Sequence, residues 1–326
     1  MPKATKKEEK YIDLAITNIK TGEILSDLEE GDRIIKGSSR KAYIELKEKE
    51  KQKKKDRRTS LVTQGLFVQV LHNKDREIEK ELTLPQCSLL LDLFFCVTEK
   101  SNNYIVHSSS EKKGEKMNQK DISLFLGKSE RSTKQLLGEM VKLKALICEK
   151  NPRRRTENFY LLNSEFFTAT RRKKKIKFTK MFHNKLKEVR TRLNDKHYGA
   201  LLKFIRYFHY QTYYLVGNPD HNIIVDPELS IARNLLLEEN ELVLQHFNQT
   251  QLAKIIGITD DSTIRNYVKA YERAGAMMVL KQHKSYRFVI HPDLMFRKDG
   301  DGQDEYTVAI RAQFKQFDSK PKKKRK

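Results

Sequence analysis

The chain has 326 residues, of which 66 are basic and 43 acidic, giving a formal charge of +23. That length suits about two domains of ordinary size, and that charge points to an anionic partner, nucleic acid before others. A bilayer span needs about 20 consecutive apolar residues; the longest apolar run, Leu89 to Val97, is interrupted by Asp92, so no membrane partner is expected.

The basic start, Met1 to Lys6, is followed by neither an apolar segment nor a small-residue cleavage site, which predicts a cytoplasmic protein. Cys87, Cys96 and Cys148 form no Cys-x-x-Cys pair, fitting a reducing compartment and a role as core filler. Residues 1–60 read as a basic, partly disordered N-terminal arm. Within it, Lys47 to Arg58 carries eight basic and three acidic residues and no apolar side chain, so it cannot fold alone. Arg171 to Lys177, six basic residues in seven, divides the remainder into residues 61–170 and 171–298. Residues 299–326 read as a basic C-terminal tail whose last stretch, Lys320 to Lys326, is mobile; its Pro-Lys-Lys-Lys-Arg-Lys is also of the nuclear-import type.

The two halves repeat one succession of elements. Phe67 to Asn73 matches Phe178 to Asn184, each an extended segment ending in His-Asn. A buried helix follows in both, Gln86 to Thr98 and His197 to Thr212. Short strands are expected next, at Asn103 to Val106 and at Asn222 to Val225. The sharpest match is Asn118 to Gly127 against Asn248 to Gly257: an Asn N-cap, apolar residues at helical spacing and a terminal glycine that permits a left-handed turn. A second helix then opens, with Ser129 or Thr259 as N-cap. It carries Leu136, Leu137, Met140 and Leu143 in one half and Tyr267, Val268, Tyr271 and Ala274 in the other. A strand pair with a polar tip closes each half, the tips being Asn151 to Arg155 and Lys281 to Lys284. The fold class expected is mainly α with small β wings (α+β), as tandem winged helix-turn-helix domains.

In such a fold the second helix of the turn enters the DNA major groove, where all four base pairs differ, and the wing touches backbone or minor groove. Helical phase puts Arg131, Lys134, Gln135, Gly138 and Lys142 opposite the apolar stripe of the first half, and Ser262, Arg265, Asn266, Lys269 and Arg273 opposite that of the second. Arginine pairs with guanine, and Gln or Asn with adenine. Arg131, Gln135, Arg265 and Asn266 are therefore the candidate base readers. An amphipathic helix merely showing water its polar face is the bland alternative. Arg153, Arg154 and Arg155 suit phosphates or a narrow minor groove, and Lys281 and Lys284 occupy the matching tip. Asp260 and Asp261 favour the helix N-terminus but repel phosphate, so the second half is expected to bind more weakly.

Enzyme motifs are lacking. Gly127-Lys128-Ser129 resembles the end of a phosphate-binding loop, but the leading position holds Ile122. No His-hydrophobe-His pair of a nicking enzyme occurs among the nine histidines. Tyr207, Tyr210, Tyr213 and Tyr214 follow helical spacing beside Phe204 and Phe208, which favours packing over nucleophilic chemistry or base stacking. The recurring His72 and His183 suit a structural hydrogen bond better than a metal. No catalysis, metal or cofactor is expected.

Phe67-Val-Gln-Val, the helix from Gln86, Asn102-Asn103-Tyr-Ile-Val, Asn118 to Gly127 and Tyr160-Leu-Leu-Asn163, with their second-half equivalents and the leader Thr21-Gly22-Glu23-Ile24, resemble the RepL-like and related two-winged-helix plasmid replication initiators (Rep proteins) of Gram-positive bacteria. The likeness covers about residues 60–298. It implies binding to repeats in a replication origin, local duplex opening and recruitment of host replication proteins, with a location on plasmid or nucleoid. A homodimer is a further candidate assembly. A winged-helix transcriptional regulator is the competing reading. An RNA-binding or scaffold protein using the basic arms and tyrosines is the third.

Overall fold

The computed structural model describes residues 14–17, 33–36, 48, 66–73, 75–108, 111–169, 176–226, 228–235, 237, 243–282, 285–298 and 302–319. The chain divides into two compact units, residues 1–60 and 61–326. Among the described residues no helix is long and apolar enough to cross a membrane.

In the first unit, β1 (Leu14–Thr17) and β2 (Arg33–Lys36) pair antiparallel, with Leu14 opposite Lys36. This segment of the expected arm is thus a small ribbon. Of the basic run Lys47 to Arg58, all but Glu48 lies outside the described residues, as does the leader Thr21 to Ile24.

The second unit is a mixed α+β body in which the two sequence halves share one sheet. Its strands are β3 (Phe67–Leu71), β6 (Phe167–Thr168), β7 (Phe178–Phe182) and β10 (Met295–Phe296), in the order β10-β7-β3-β6, all antiparallel. The central pair runs from Phe67 opposite Phe182 to Leu71 opposite Phe178, with Gln69 opposite Lys180 at its middle. Val68, Val70, Thr179 and Met181 are buried on one face of the pair; on the other face of β3, Gln69 and Leu71 are buried too, so this central strand is covered on both sides.

Against this sheet lie α1 (Ile78–Glu81) and α2 (Leu84–Phe94) from the first half, and α5 (His183–Arg190) and α6 (Asp195–Lys203) from the second. Helix α2 starts where Thr83 and Gln86 cap each other reciprocally with a proline in the first turn, and α6 starts where Asn194 accepts from the His197 amide. Helix α2 buries every residue from Gln86 to Phe94 and α6 the run Tyr198 to Leu202, because the two pack on one another as well as on the sheet. Their approach is close at Gly199, where a Cβ would lie 2.0 Å from the Leu84 carbonyl oxygen. A mid-helix glycine costs about 1 kcal/mol relative to alanine, and here it lets two backbones meet.

Each half then builds a helix pair and a hairpin. In the first half these are α3 (Gln119–Leu126), α4 (Glu130–Lys142), β4 (Leu146–Lys150) and β5 (Asn158–Leu162). In the second they follow a short α7 (Ile231–Leu235) and are α8 (Gln249–Ile256), α9 (Asp261–Ala274), β8 (Met277–Gln282) and β9 (Ser285–Ile290). The backbone ties correspond. Ile105 N–H donates to Tyr160 O and Leu215 N–H to Phe288 O; Leu162 N–H donates to Asn103 O and Ile290 N–H to Tyr213 O. Asn103 and Tyr213 share a left-handed backbone, with φ of 67° and 65°.

That last pair corrects the expected strand at Asn222 to Val225. The true partner of Tyr104 to Val106 is Tyr214 to Val216, bridged respectively to Leu161 and Lys116 and to Val289 and His246. Asn222 mimics Asn103 in sequence only. The helix expected to run from His197 to Thr212 also stops earlier: α6 ends at Lys203 and a single 3-10 turn, Ile205–Tyr207, follows. The tyrosines beyond it pack, as expected, but from a turn and a bridge rather than a helix. A tyrosine at positive φ costs on the order of 1–3 kcal/mol and needs surroundings that fix it. Tyr213 stacks on Tyr306, its hydroxyl meets Thr307, and the Lys298 ammonium sits 4.9 Å from its ring centre.

Tyr306 and Thr307 belong to α10 (Glu305–Ser319), which replaces most of the expected basic tail. Ile310 and Phe314 of this helix are buried, and Arg311 pairs with Asp293 at 2.7 Å. Lys320 to Lys326 lies outside the described residues. Of the three cysteines, Cys87 and Cys96 fill the core, and burial pushes both thiols up to about 12. Cys148 does not: it is exposed on β4, whose side chains beyond Leu146 face solvent.

Candidate nucleic-acid interface

The two helix pairs are capped alike. Asn118 accepts from the Asp121 amide while Asp121 reaches back to the Asn118 amide; Asn248 and Gln251 repeat the arrangement. Both helices end on a glycine at positive φ, 60° at Gly127 and 74° at Gly257, which reverses the chain into the next helix. There the halves differ. Ser129 caps α4, accepting from the Ser132 amide. Helix α9 is capped by Asp260 and not by the expected Thr259. The carboxylate of Asp260 accepts from the Ser262 hydroxyl and from the Thr263 amide, both at 2.6 Å. These bonds hold it well below the usual carboxylate range.

The apolar stripe of α4 turns Leu137 and Met140 fully inward with Leu136 and Leu143 half-buried; that of α9 buries Tyr267, Val268, Tyr271 and Ala274. Opposite them Arg131, Lys134, Gln135, Gly138 and Lys142, and Ser262, Arg265, Asn266, Lys269 and Arg273, are all exposed. Their freedom differs. Gln135 donates to Glu139 at 3.0 Å, and Glu139 also accepts from Gln86 at 2.8 Å, so the side chain is braced against the core helix. The two amide donors lower the Glu139 carboxyl. Glutamine keeps a second N–H and its carbonyl for another partner. The Ser262 hydroxyl is committed to Asp260, and Arg265 Nε donates to the Asp261 carbonyl at 3.2 Å.

In the first hairpin, Asn151 accepts from the Arg153 amide and donates to Glu157, and Arg154 pairs with Glu157 at 3.1 Å. This turn leaves Arg153, Arg154 and Arg155 exposed together. In the second hairpin Lys281 is exposed, while Lys284 lies outside the described residues, as does Arg171 to Lys175.

Two features were not found from the sequence. At the base of the first hairpin the exposed Lys116 ammonium sits 3.3 Å from the Tyr104 ring centre and 5.5 Å from that of Phe159. Lys116 comes from a polar insert with no motif, so nothing in the sequence marks it. The turn after α3 is also tied to the other half: Lys128 meets Asp195 at 3.1 Å, and Arg190 bridges Asp195 and Asp92 at 2.8 and 2.9 Å. Burial raises the Asp195 carboxyl, but Lys128 and Arg190 outweigh it and hold it below its ordinary value. Residues from three separate segments make this network, and only the chain-long pairing brings them together.

At the ends of the central strands His183 is buried and His72 half-buried. The ring of His72 bonds Thr179 Oγ1 at 2.9 Å. Among the described residues no group of three or more His, Cys, Asp or Glu side chains is placed to hold a metal ion. No protein-family model matches the chain, and no curated protein and no solved structure is significantly similar to it.

Proposed function

We propose that the chain binds double-stranded DNA sequence-specifically through two winged helix-turn-helix units, residues 61–170 and 171–298, and acts as a replication initiator at origin repeats without catalysing a reaction. The observation that carries the binding reading is the repetition, in one strongly basic chain, of a capped helix, a left-handed glycine and a second helix whose exposed face bears an amide beside a cation: Gln135 with Lys134, and Asn266 with Arg265. A solvated face needs no such correspondence of residue type, whereas base readout does. The basic tip Arg153 to Arg155 and the Lys116 ammonium extend the same electropositive side chains to the hairpin, where a wing meets phosphates. The initiator role follows from the resemblance to winged-helix Rep proteins.

Competition binding tests the first part. Duplex DNA fragments from the source replicon should displace a labelled site better than single strands or RNA of equal length. The logarithm of affinity should fall with that of salt by about 0.9 for each phosphate neutralised. Equal binding to RNA overturns the reading. The second part is tested by asking whether the gene with its flanking repeats sustains a replicon; failure there with intact, specific binding favours a transcriptional regulator.

A further inference from the structure

The halves meet through an isologous contact. His72 N–H donates to Lys177 O and His183 N–H donates to Leu66 O, each at 2.8 Å, and the strand register is centred on Gln69 opposite Lys180. Position by position, the first-half strand bonds the second as the second bonds the first, which is the signature of a two-fold axis. The flanking strands obey it: Gln69 opposite Thr168 and Val70 opposite Phe167 become Lys180 opposite Phe296 and Met181 opposite Met295. Each helix pair is tied to this frame by the same bonds. Ala145 N–H donates to Met140 O and Asn163 N–H to Ala145 O; Ala276 N–H donates to Tyr271 O and His291 N–H to Ala276 O. A two-fold rotation therefore carries α4 onto α9.

We infer that one chain reads one duplex site made of two half-sites in inverted orientation, each with an adenine at the position met by Gln135 or Asn266. The inference rests on the DNA-binding reading above. Duplex DNA has two-fold axes across its own helix axis, so equivalent modules related by a rotation read inverted half-sites, whereas direct half-sites require modules related by a translation along the groove. The N-caps Ser129 and Asp260 and the matching bonds of Ala145 and Ala276 set an offset of 131 residues, which makes Gln135 correspond to Asn266, Lys134 to Arg265, Arg131 to Ser262 and Gly138 to Lys269. The amide pair makes the same adenine contact in both half-sites. Where Arg131 faces Ser262 and Gly138 faces Lys269, the half-sites differ, so the site is an imperfect palindrome.

The test is selection from randomised duplexes with the full chain, followed by sedimentation of the complex on a labelled duplex. The expected result is an inverted arrangement with one chain per duplex. Turning one half-site to direct orientation at unchanged spacing should weaken binding about ten- to a hundredfold, the loss of one module's base contacts. Gln135→Ala should relax the adenine preference in one half-site and Asn266→Ala in the other, each leaving the opposite half unchanged. Selected sites in direct orientation, a single half-site, or two chains on each inverted site overturn the inference while leaving specific duplex binding in place. Loss of any preference for duplex over single strands and RNA overturns the functional reading itself, so the two failures are distinguishable.

Discussion

The two halves of the second unit share a skeleton and differ in what they show to solvent. Around the turn the first half carries Lys128, Ser129, Glu130 and Arg131, and the second Ile258, Thr259, Asp260 and Asp261. The backbone bonds nonetheless match, including the reversal after Gly127 and Gly257. Main-chain hydrogen bonds and buried apolar volume hold a fold while leaving exposed positions free to change. Retained and altered positions thus separate what builds the scaffold from what faces a ligand, and substitutions in equivalent pairs can test that separation.

The largest expected effect is at the helix crossing. Gly199 stands where the first half has Ser88, and only Gly199 has a backbone carbonyl 2.0 Å from where a Cβ would lie. Gly199→Ala should cost about 3 kcal/mol, at the upper end of overpacking effects, and lower the unfolding midpoint of both halves together. Ser88→Ala should have a much smaller effect. Equal losses at the two positions in denaturant titrations would break the asymmetry.

Acid comes next. His72 and His183 are equivalent, and burial lowers them from 6.5 to about 3 and about 4 respectively. The folded state thus holds both neutral where the unfolded chain takes up protons. Their contribution to stability is complete above pH 6.5 and is lost as the pH falls toward the folded values. Each adds a slope of up to about 1.4 kcal/mol per pH unit in that window. Replacing one histidine by Asn should remove its share of the slope between pH 6 and 4, measured by urea unfolding at each pH. An unchanged slope would place the acid response elsewhere.

Capping tests equivalence directly. Asn118→Ala and Asn248→Ala each remove an acceptor from an amide three residues on, and each should cost about 1 kcal/mol. A large loss at one and none at the other would show that the helix pairs are not held alike.

These caps were also the most legible part of the sequence, because Asn-x-x-Asp and Asn-x-x-Gln before an apolar stripe, with glycine after it, are local signals. The exposed faces followed from helical phase alone. The bridged segment of the second half, Tyr214 to Val216, was misplaced because its left-handed position is filled by Tyr213, which shares no chemistry with Asn103, while Asn222 imitates it. Helix α10 was readable in Tyr306, Ile310 and Phe314 at steps of four but was masked by the surrounding charge. The two-fold relation was not readable: it depends on Phe67 to Leu71 pairing with Phe178 to Phe182, a register fixed by contacts far apart in sequence.

A smaller effect should appear in binding. Asp260→Ser keeps an oxygen at the N-cap and removes the negative charge at the α9 terminus. Duplex affinity should rise about two- to tenfold in low salt and the gain should shrink as salt screens it, read by anisotropy titration. The neutral cap should leave the unfolding midpoint nearly unchanged, because serine caps a helix about as well as aspartate. A rise that persists in high salt would mean the carboxylate acts through helix geometry rather than charge.

The smallest effect distinguishes two ways of ending the same helix. Both α4 and α9 are followed by a left-handed residue, Lys144 at φ 58° and Gly275 at φ 66°, after which Ala145 and Ala276 donate to Met140 and Tyr271. A side chain at positive φ costs about 1–2 kcal/mol, and glycine gives back roughly 0.5–1 kcal/mol through the greater freedom of the unfolded chain. Lys144→Gly should therefore stabilise the protein by about 0.5 kcal/mol, since Asn163 bonds the Lys144 carbonyl, which the substitution retains. Gly275→Lys should destabilise by a similar amount. Because both positions lie in the same turn, the two changes should be equal and opposite in thermal unfolding; a stabilisation by lysine at position 275 would show that the turn after α9 is set by its surroundings and not by its own backbone.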